Sequence, residues 1–227
     1  MKDGLIEDIK SKGHWRVNIR PAADLAEKLS FAECRKIVAD ANVELRGWDY
    51  PHVLDRNDET TGYYNDAGFV ENWTTWSTNR EFWRMYQSGQ FLHYRAFWED
   101  RDQYKGTPQT SFLSIEGAIY TITEIVEFAA RLRAHPAFAG GLLISVRAVQ
   151  TANRALWVGE RRISFFERKA TQAPSVEVTG NLAAAGLEPI PLDLSLKMIQ
   201  TFFDNFGWTP ADHQIRASQD RLINRRF

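Results

Sequence analysis

One cysteine, Cys34, is all that 227 residues contain, and that scarcity excludes an internal disulfide and any zinc site built on several thiolates. Its surroundings, Phe31-Ala32-Glu33-Cys34-Arg35-Lys36-Ile37-Val38, read as an amphipathic helix with a small thiol turned inward, a buried and inert position. Long apolar runs are missing as well. No stretch approaches the roughly 20 residues needed to span a bilayer. The opening Met1-Lys2-Asp3-Gly4-Leu5-Ile6-Glu7-Asp8-Ile9-Lys10 lacks the continuous apolar segment of a secretion signal, so a cytoplasmic protein with no membrane partner is expected. Neither Gly-x-Gly-x-x-Gly nor Gly-x-x-x-x-Gly-Lys occurs, which removes the common nucleotide loops. The histidines, at 14, 52, 93, 135 and 213, show no paired metal spacing, and neither a metal nor a cofactor is expected.

What remains is an ordinary folding composition, 44% hydrophobic and 25% charged. A chain of this length sits at the upper end of one domain and buries about 70–75% of its extended surface, so a single domain over 1–227 is expected. The breaks at 55–66, 100–110 and 183–191 have the length of loops, not of tethers. The net charge of −1 argues against bulk polyanion binding, yet the charge is uneven. From Trp48 to Asp102 ten acidic and five basic residues leave −5, and from Leu142 to Lys169 six basic and two acidic leave +4. Such asymmetry steers partners, or places the two segments against each other.

Periodicity supplies the elements. Trp15, Val17 and Ile19 alternate with polar neighbours in a strand that Pro21 stops. Ser30 and Glu33 form a capping-box pattern for a helix over 31–41. A strand over 43–48, strands over 68–77 and 90–98, and a short helical stretch over 79–85 follow. Ile115, Ile119, Ile122, Val126 and Ala129 recur at helical spacing over 112–134, with Glu127 and Arg131 one turn apart and Pro136 beyond the end. Residues 142–151, 155–158, 162–168 and 175–180 read as an antiparallel run. Asp193 caps a helix through Phe206 with Gly207 as its stop, and Thr209-Pro210 starts a last helix toward Arg225. Strands outnumber helices without strict alternation. The expected class is α+β, a mostly antiparallel twisted sheet with helices packed on one side.

Fourteen of the 29 aromatic residues lie between Trp48 and Trp98, Trp76 among them. Rings at this density fill a twisted sheet, line a pocket or protein interface, or form a base-stacking platform, and the local −5 disfavours the last. Beside them, Arg46-Gly47-Trp48-Asp49-Tyr50-Pro51-His52 is the densest polar cluster. Asp49 and His52 can form an acid–imidazole pair and Arg46 can clamp an anion, although Pro51 also makes this a turn that an acid would hold together. No nucleophile completes a triad. His93 is a lone histidine on an aromatic strand, a satisfied core imidazole or a ligand contact. Gln87, Ser88 and Gln90 surround Gly89, a point of close backbone approach. The candidate binding residues are Arg46, Trp48, Asp49, His52, Trp76, Gln90 and His93.

Three further patterns bear on chemistry. Glu167-Arg168-Lys169 has the carboxylate–lysine spacing of metal-dependent nucleases, but the second acid such a site needs is missing, because no aspartate lies between 103 and 192. Glu116, Glu124 and Glu127 on the long helix reach one site only if that face is buried; a solvated face is expected. Arg147, Arg154, Arg161, Arg162 and Trp157 grip phosphates or guard an edge strand.

The segments Asn18-Ile19-Arg20-Pro21, Arg46 through His52, Tyr86-Gln87-Ser88-Gly89-Gln90-Phe91 and Thr123-Glu124-Ile125-Val126-Glu127-Phe128-Ala129-Ala130-Arg131-Leu132 together resemble a group of uncharacterised bacterial proteins. Some of these accompany nucleic-acid-binding modules of the AlbA/Schlafen type, a module this chain lacks. The resemblance carries no catalytic residue. It implies an accessory, sensing or assembly role in a multi-component bacterial system, defence among them. The expected function is a non-enzymatic binding, assembly or sensing subunit that holds a protein partner, a second copy or a small-molecule ligand through its aromatic surface; nucleic acid is less favoured. The alternative is a metal-dependent enzyme that processes nucleic acid or nucleotides.

Overall fold

Alternation builds the first strand. In β1 (His14–Pro21) Trp15, Val17 and Ile19 are buried on one face while Arg16 and Arg20 reach solvent. The computed structural model describes residues 2–54, 57–66, 68–101, 111–159, 167–184 and 191–225. β1 is an interior strand, fifth in a seven-stranded antiparallel sheet with β2 (Thr61–Asp66), β3 (Phe69–Thr74), β4 (Glu81–Tyr86), β5 (Phe91–Ala96), β7 (Leu142–Val149) and β9 (Ser175–Leu182), in the order β2-β3-β4-β5-β1-β7-β9. Two short strands, β6 (Phe112–Ser114) and β8 (Ala155–Trp157), pair in parallel apart from it.

Register sorts the sheet's inner face into rows. One row runs Tyr63, Asn72, Trp83, His93, Val17, Val146, Val178; the next runs Thr61, Thr74, Glu81, Arg95, Trp15, Ala148, Val176. Each row is apolar on the β1, β7, β9 side and polar toward β2.

The helices over this face are α2 (Phe31–Ala41), α3 (Ile115–Arg133), α4 (Pro191–Asp204) and α5 (Asp212–Ile223). Their buried residues join the strands in one hydrophobic cluster. Both bonds of the expected capping box form, as Ser30 Oγ accepts the Glu33 amide and the Glu33 carboxylate accepts the Ser30 amide. Val17, Ile144 and Val146 share the cluster with Ile122, Val126, Ile199 and Phe202, and each such side chain contributes roughly 1.5–3 kcal/mol on burial. Cys34 is buried here, and burial pushes its thiol up to about 11, away from reactivity. The short α1 (Leu5–Lys10) lies across the sheet, where Leu5 and Ile9 pack on Phe82 with Trp73 and Tyr94 beside them.

Several elements depart from expectation. Residues 79–85 were expected to be helical, yet Glu81–Tyr86 is strand β4: α1 covers its outer face and the core its inner face, so burial removes the two-residue alternation. Residues 43–48 form no strand, only a Val43–Tyr50 bridge around a loop in which Gly47 adopts φ +84°. Thr61–Asp66, expected to be loop, is edge strand β2, and Gly62 leaves room for the Trp73 ring, which a Cβ there would meet at 2.4 Å. The long helix starts at Ile115, since Phe112–Ser114 pairs as β6 and Ser114 then caps the helix. The expected strand over 162–168 falls mainly outside the described residues, as do most of the 100–110 and 183–191 breaks; Glu167 and Arg168 are not in a strand. Arg154 bonds both Asp100 oxygens at 2.8 Å, so the basic and acidic segments do meet. Among the described residues no helix is long and apolar enough to cross a membrane.

Candidate functional site

The polar half of the inner face is covered by residues 42–53. After α2 the chain turns on Asn42, whose Nδ2 donates to the Pro51 carbonyl at 2.8 Å. Tyr50 precedes Pro51 through a cis peptide bond. Asp49 Oδ2 accepts the Val53 amide at 2.9 Å, so this acid holds the turn rather than an imidazole. Arg46 crosses to α3, donating from Nε to Glu124 Oε1 at 2.8 Å and from Nη2 to Glu124 Oε2 and Thr121 Oγ1. Its guanidinium is thereby spent on a fully buried carboxylate. The acids of α3 are thus not one solvated face: Glu124 is buried under Arg46, while Glu116 meets Arg221.

Beneath this loop Glu81 is the centre of a buried network. His52 Nδ1 donates to Glu81 Oε1, and His93 Nε2 lies 3.4 Å from Glu81 Oε2. Tyr50 hydroxyl and His93 Nδ1 are 3.1 Å apart, and Trp83 Nε1 donates to the His52 carbonyl at 2.7 Å. Arg95 Nε approaches Glu81 Oε2 at 3.7 Å. Burial works against a charged His52, but the Glu81 charge and hydrogen bond outweigh it and raise the imidazole above its ordinary value. Burial disfavours the Glu81 carboxylate, yet His52 and then His93 hold it well below the usual range. His93 is lowered by burial in spite of Glu81, and burial raises the Tyr50 phenol. The resulting assignment is ionised Glu81, protonated His52 and neutral His93, which accepts from Tyr50 at Nδ1 and donates from Nε2 to Glu81. Nearby, burial pushes the Glu99 carboxyl up to about 7 against the pull of the Ser114 amide, which donates to it at 3.0 Å.

Arg46, Asp49, His52 and His93, picked out from sequence, thus come together around one loop. Trp48 and Trp76 remain 47% and 61% exposed, on that loop and on the turn between β3 and β4. Gln90 does not join them; its Nε2 donates to Asn18 Oδ1 at 2.8 Å, on the sheet's outer face. Tyr50, Phe82, Trp83, Phe91 and Phe97 are sealed, so many of the clustered rings serve the core. Sequence reasoning missed Glu81 and Arg95. The only local sign of Glu81 is an acid opening an aromatic run, Glu81-Phe82-Trp83.

Glu167 is largely exposed and lies 3.7 Å from Lys169. Among the described residues no group of three or more His, Cys, Asp or Glu side chains is placed to hold a metal ion. The chain matches no protein-family model, no curated protein and no solved structure.

Proposed function

We propose that this chain is a binding and assembly subunit that docks a protein partner or a second copy through Trp48 and Trp76. The observation that carries this reading is their exposure, at 47% and 61%, within a segment whose other rings, Tyr64 apart, are buried or half-buried. Indoles supply large contact area at low entropic cost and recur at the centres of interfaces. The Arg46–Glu124 and His52–Glu81 pairs hold the Trp48 loop in place beforehand, which lowers the cost of ordering it on binding. A subunit of a multi-component system is in keeping with the resemblance to bacterial accessory proteins. Size-exclusion light scattering over a range of concentrations, alone and with the products of neighbouring genes, tests it. A complex that a Trp48→Ala/Trp76→Ala variant fails to form supports the reading; a strict monomer in every mixture removes it.

One observation favours the enzymatic alternative. His52 has Nδ1 fixed by a buried carboxylate while Nε2 has no hydrogen-bond partner among the described residues, the posture of an oriented general acid. A metal-supplemented cleavage assay on DNA and RNA, comparing His52→Gln and Glu167→Ala with the parent, decides it: activity lost in either folded variant reverses the ranking.

A further inference from the structure

Four charged side chains face one cleft without meeting one another. The cleft, about 560 Å³ in volume, opens where the ends of α2 and α5 approach the 42–53 loop and the last turn of α3. Arg131, Arg225, Glu44 and Asp49 line it, together with Leu45 and Ile223. Both guanidiniums meet backbone instead of carboxylate. Arg131 donates from Nη1 to the carbonyl of Asn42, the residue that caps α2, and Arg225 donates from Nη2 to the Glu44 carbonyl at 2.6 Å. The accepting carbonyls are two residues apart, so both cations are held over one short stretch of chain. Arg225 reaches it from a left-handed backbone, φ +52°, just beyond α5, a conformation that glycine and asparagine adopt far more readily. Each guanidinium keeps its other N–H groups free of hydrogen bonds among the described residues.

The acids stand apart from these cations. Asp49 has one oxygen on the Val53 amide, and neither it nor Glu44 forms an ion pair with Arg131 or Arg225. The charges around the cleft are balanced. Glu127, one turn before Arg131, feels that guanidinium without pairing with it. Asp49 favours the charged form of His52, whose proton Glu81 holds while Arg95 approaches the same carboxylate. Arg131, Arg225, His52 and Arg95 thus oppose Glu44, Asp49, Glu127 and Glu81, four against four; Arg46 cancels Glu124, and Lys36 cancels Asp40. A ligand of one net sign gains nothing lasting from such a ring. One that carries both signs a few bonds apart gains from the guanidiniums and the acids together. Pinning the arginines on backbone beforehand lowers the entropic cost of meeting it. The volume suits a small molecule, and Ile223, one of the few large apolar side chains left exposed, offers that molecule an apolar contact.

We propose that this cleft binds a free α-amino acid with an aliphatic side chain, its carboxylate on Arg131 and Arg225, its ammonium on Asp49 and Glu44, and its side chain against Leu45 and Ile223. The site shares a loop with Trp48 but uses neither exposed indole, so it stands or falls separately from the docking surface. Calorimetric titration of the full chain with L-leucine tests it, alongside L-leucinamide, which lacks the carboxylate, and N-acetyl-L-leucine, which lacks the ammonium. Saturable binding of leucine is expected, weakened about tenfold or more when either charge is removed from the ligand. A similar loss is expected for leucine on Arg225→Gly and on Glu44→Gln. Glycine suits the left-handed backbone at 225 and Glu44 is exposed, so both variants are expected to fold like the parent; should either fail to, the two blocked ligands decide on the parent chain. N-acetyl-leucine binding as tightly as leucine would make a peptide carboxyl end the occupant, and leucinamide doing so would make it a peptide amino end. Either result overturns the proposal, as does the absence of saturable heat with leucine or unchanged leucine binding in both variants.

Discussion

Where β1, β7 and β9 meet α3 and α4, the inner face of the sheet presents Val17, Ile144, Val146 and Val178 to Ile122, Val126, Ile199 and Phe202. Where β2 to β5 meet residues 42–53, the same face presents Asn72, Thr74, Glu81 and His93, all buried. The first half gains stability from area removed from water and tolerates any shape-matched apolar group. The second holds only while its partners stay in place, because each polar group there has given up water. Stability is thus spread over both halves, whereas the buried ionic network of His52, Glu81 and Arg95 falls in one.

The comparison breaks most sharply under truncation. Phe202→Ala, in the apolar half and in contact with Trp15, Phe203 and Phe206, is expected to cost about 3–5 kcal/mol by denaturant midpoint at every pH where the chain folds. Glu81→Gln, in the polar half, is expected to cost about 3 kcal/mol, because two cations lose their counter-charge. This loss depends on pH. His52 is raised above its ordinary 6.5, so its contribution is complete below pH 6.5 and fades as pH climbs through the folded value. Glu81 is held well below 4.5, so its contribution is present above pH 4.5 and fades as pH falls through the folded value. The gap between parent and Glu81→Gln is therefore widest between pH 4.5 and 6.5 and narrows on the alkaline side. An equal gap from pH 5 to 9 would show that charge plays no part.

Glu99 sharpens the contrast with the opposite sign. Its carboxyl, raised from 4.5 to about 7, favours the folded state while protonated. That contribution is complete below pH 4.5 and is lost as pH rises through about 7, and the shift corresponds to at most about 3 kcal/mol. Chemical denaturation at pH 5 and pH 8 is expected to show the parent weakening more than Glu99→Gln, which keeps only the part due to His52. Trp48→Ala and Trp76→Ala are expected to move the unfolding midpoint least, by less than about 0.5 kcal/mol each, since both rings sit on the surface. A larger cost for either would mean that its ring belongs to the core.

Much of the frame was legible because its signals are local. The alternation of β1, the Ser30–Glu33 box, the apolar stripe of α3 and the last two helices all show within one or two turns of chain. Strand β4 was not, since α1 and the core cover both of its faces and leave no period to read. Nor was β2, whose exposed polar residues on a sheet edge look like loop. In the site, the grouping of Arg46, Asp49 and His52 was visible as a cluster, while its chemistry was not. Asp49 was the nearest acid to His52 in sequence, yet it binds the Val53 amide, and Arg46, the expected anion clamp, is consumed by Glu124.

By itself the amino-acid order determined that this chain forms an antiparallel α+β fold, that its thiol is buried and that an aromatic, polar stretch between Trp48 and Trp98 is its unusual part. Those outcomes follow from composition and from spacings of two to four residues. Only the tertiary structure decided which carboxylate His52 meets and which guanidinium lies beside that carboxylate. Glu81 lies 29 residues from His52 and comes opposite Arg95 through the register of β4 with β5. That pairing is set by how helices and loop cover the sheet, and short-range spacing carries no record of it.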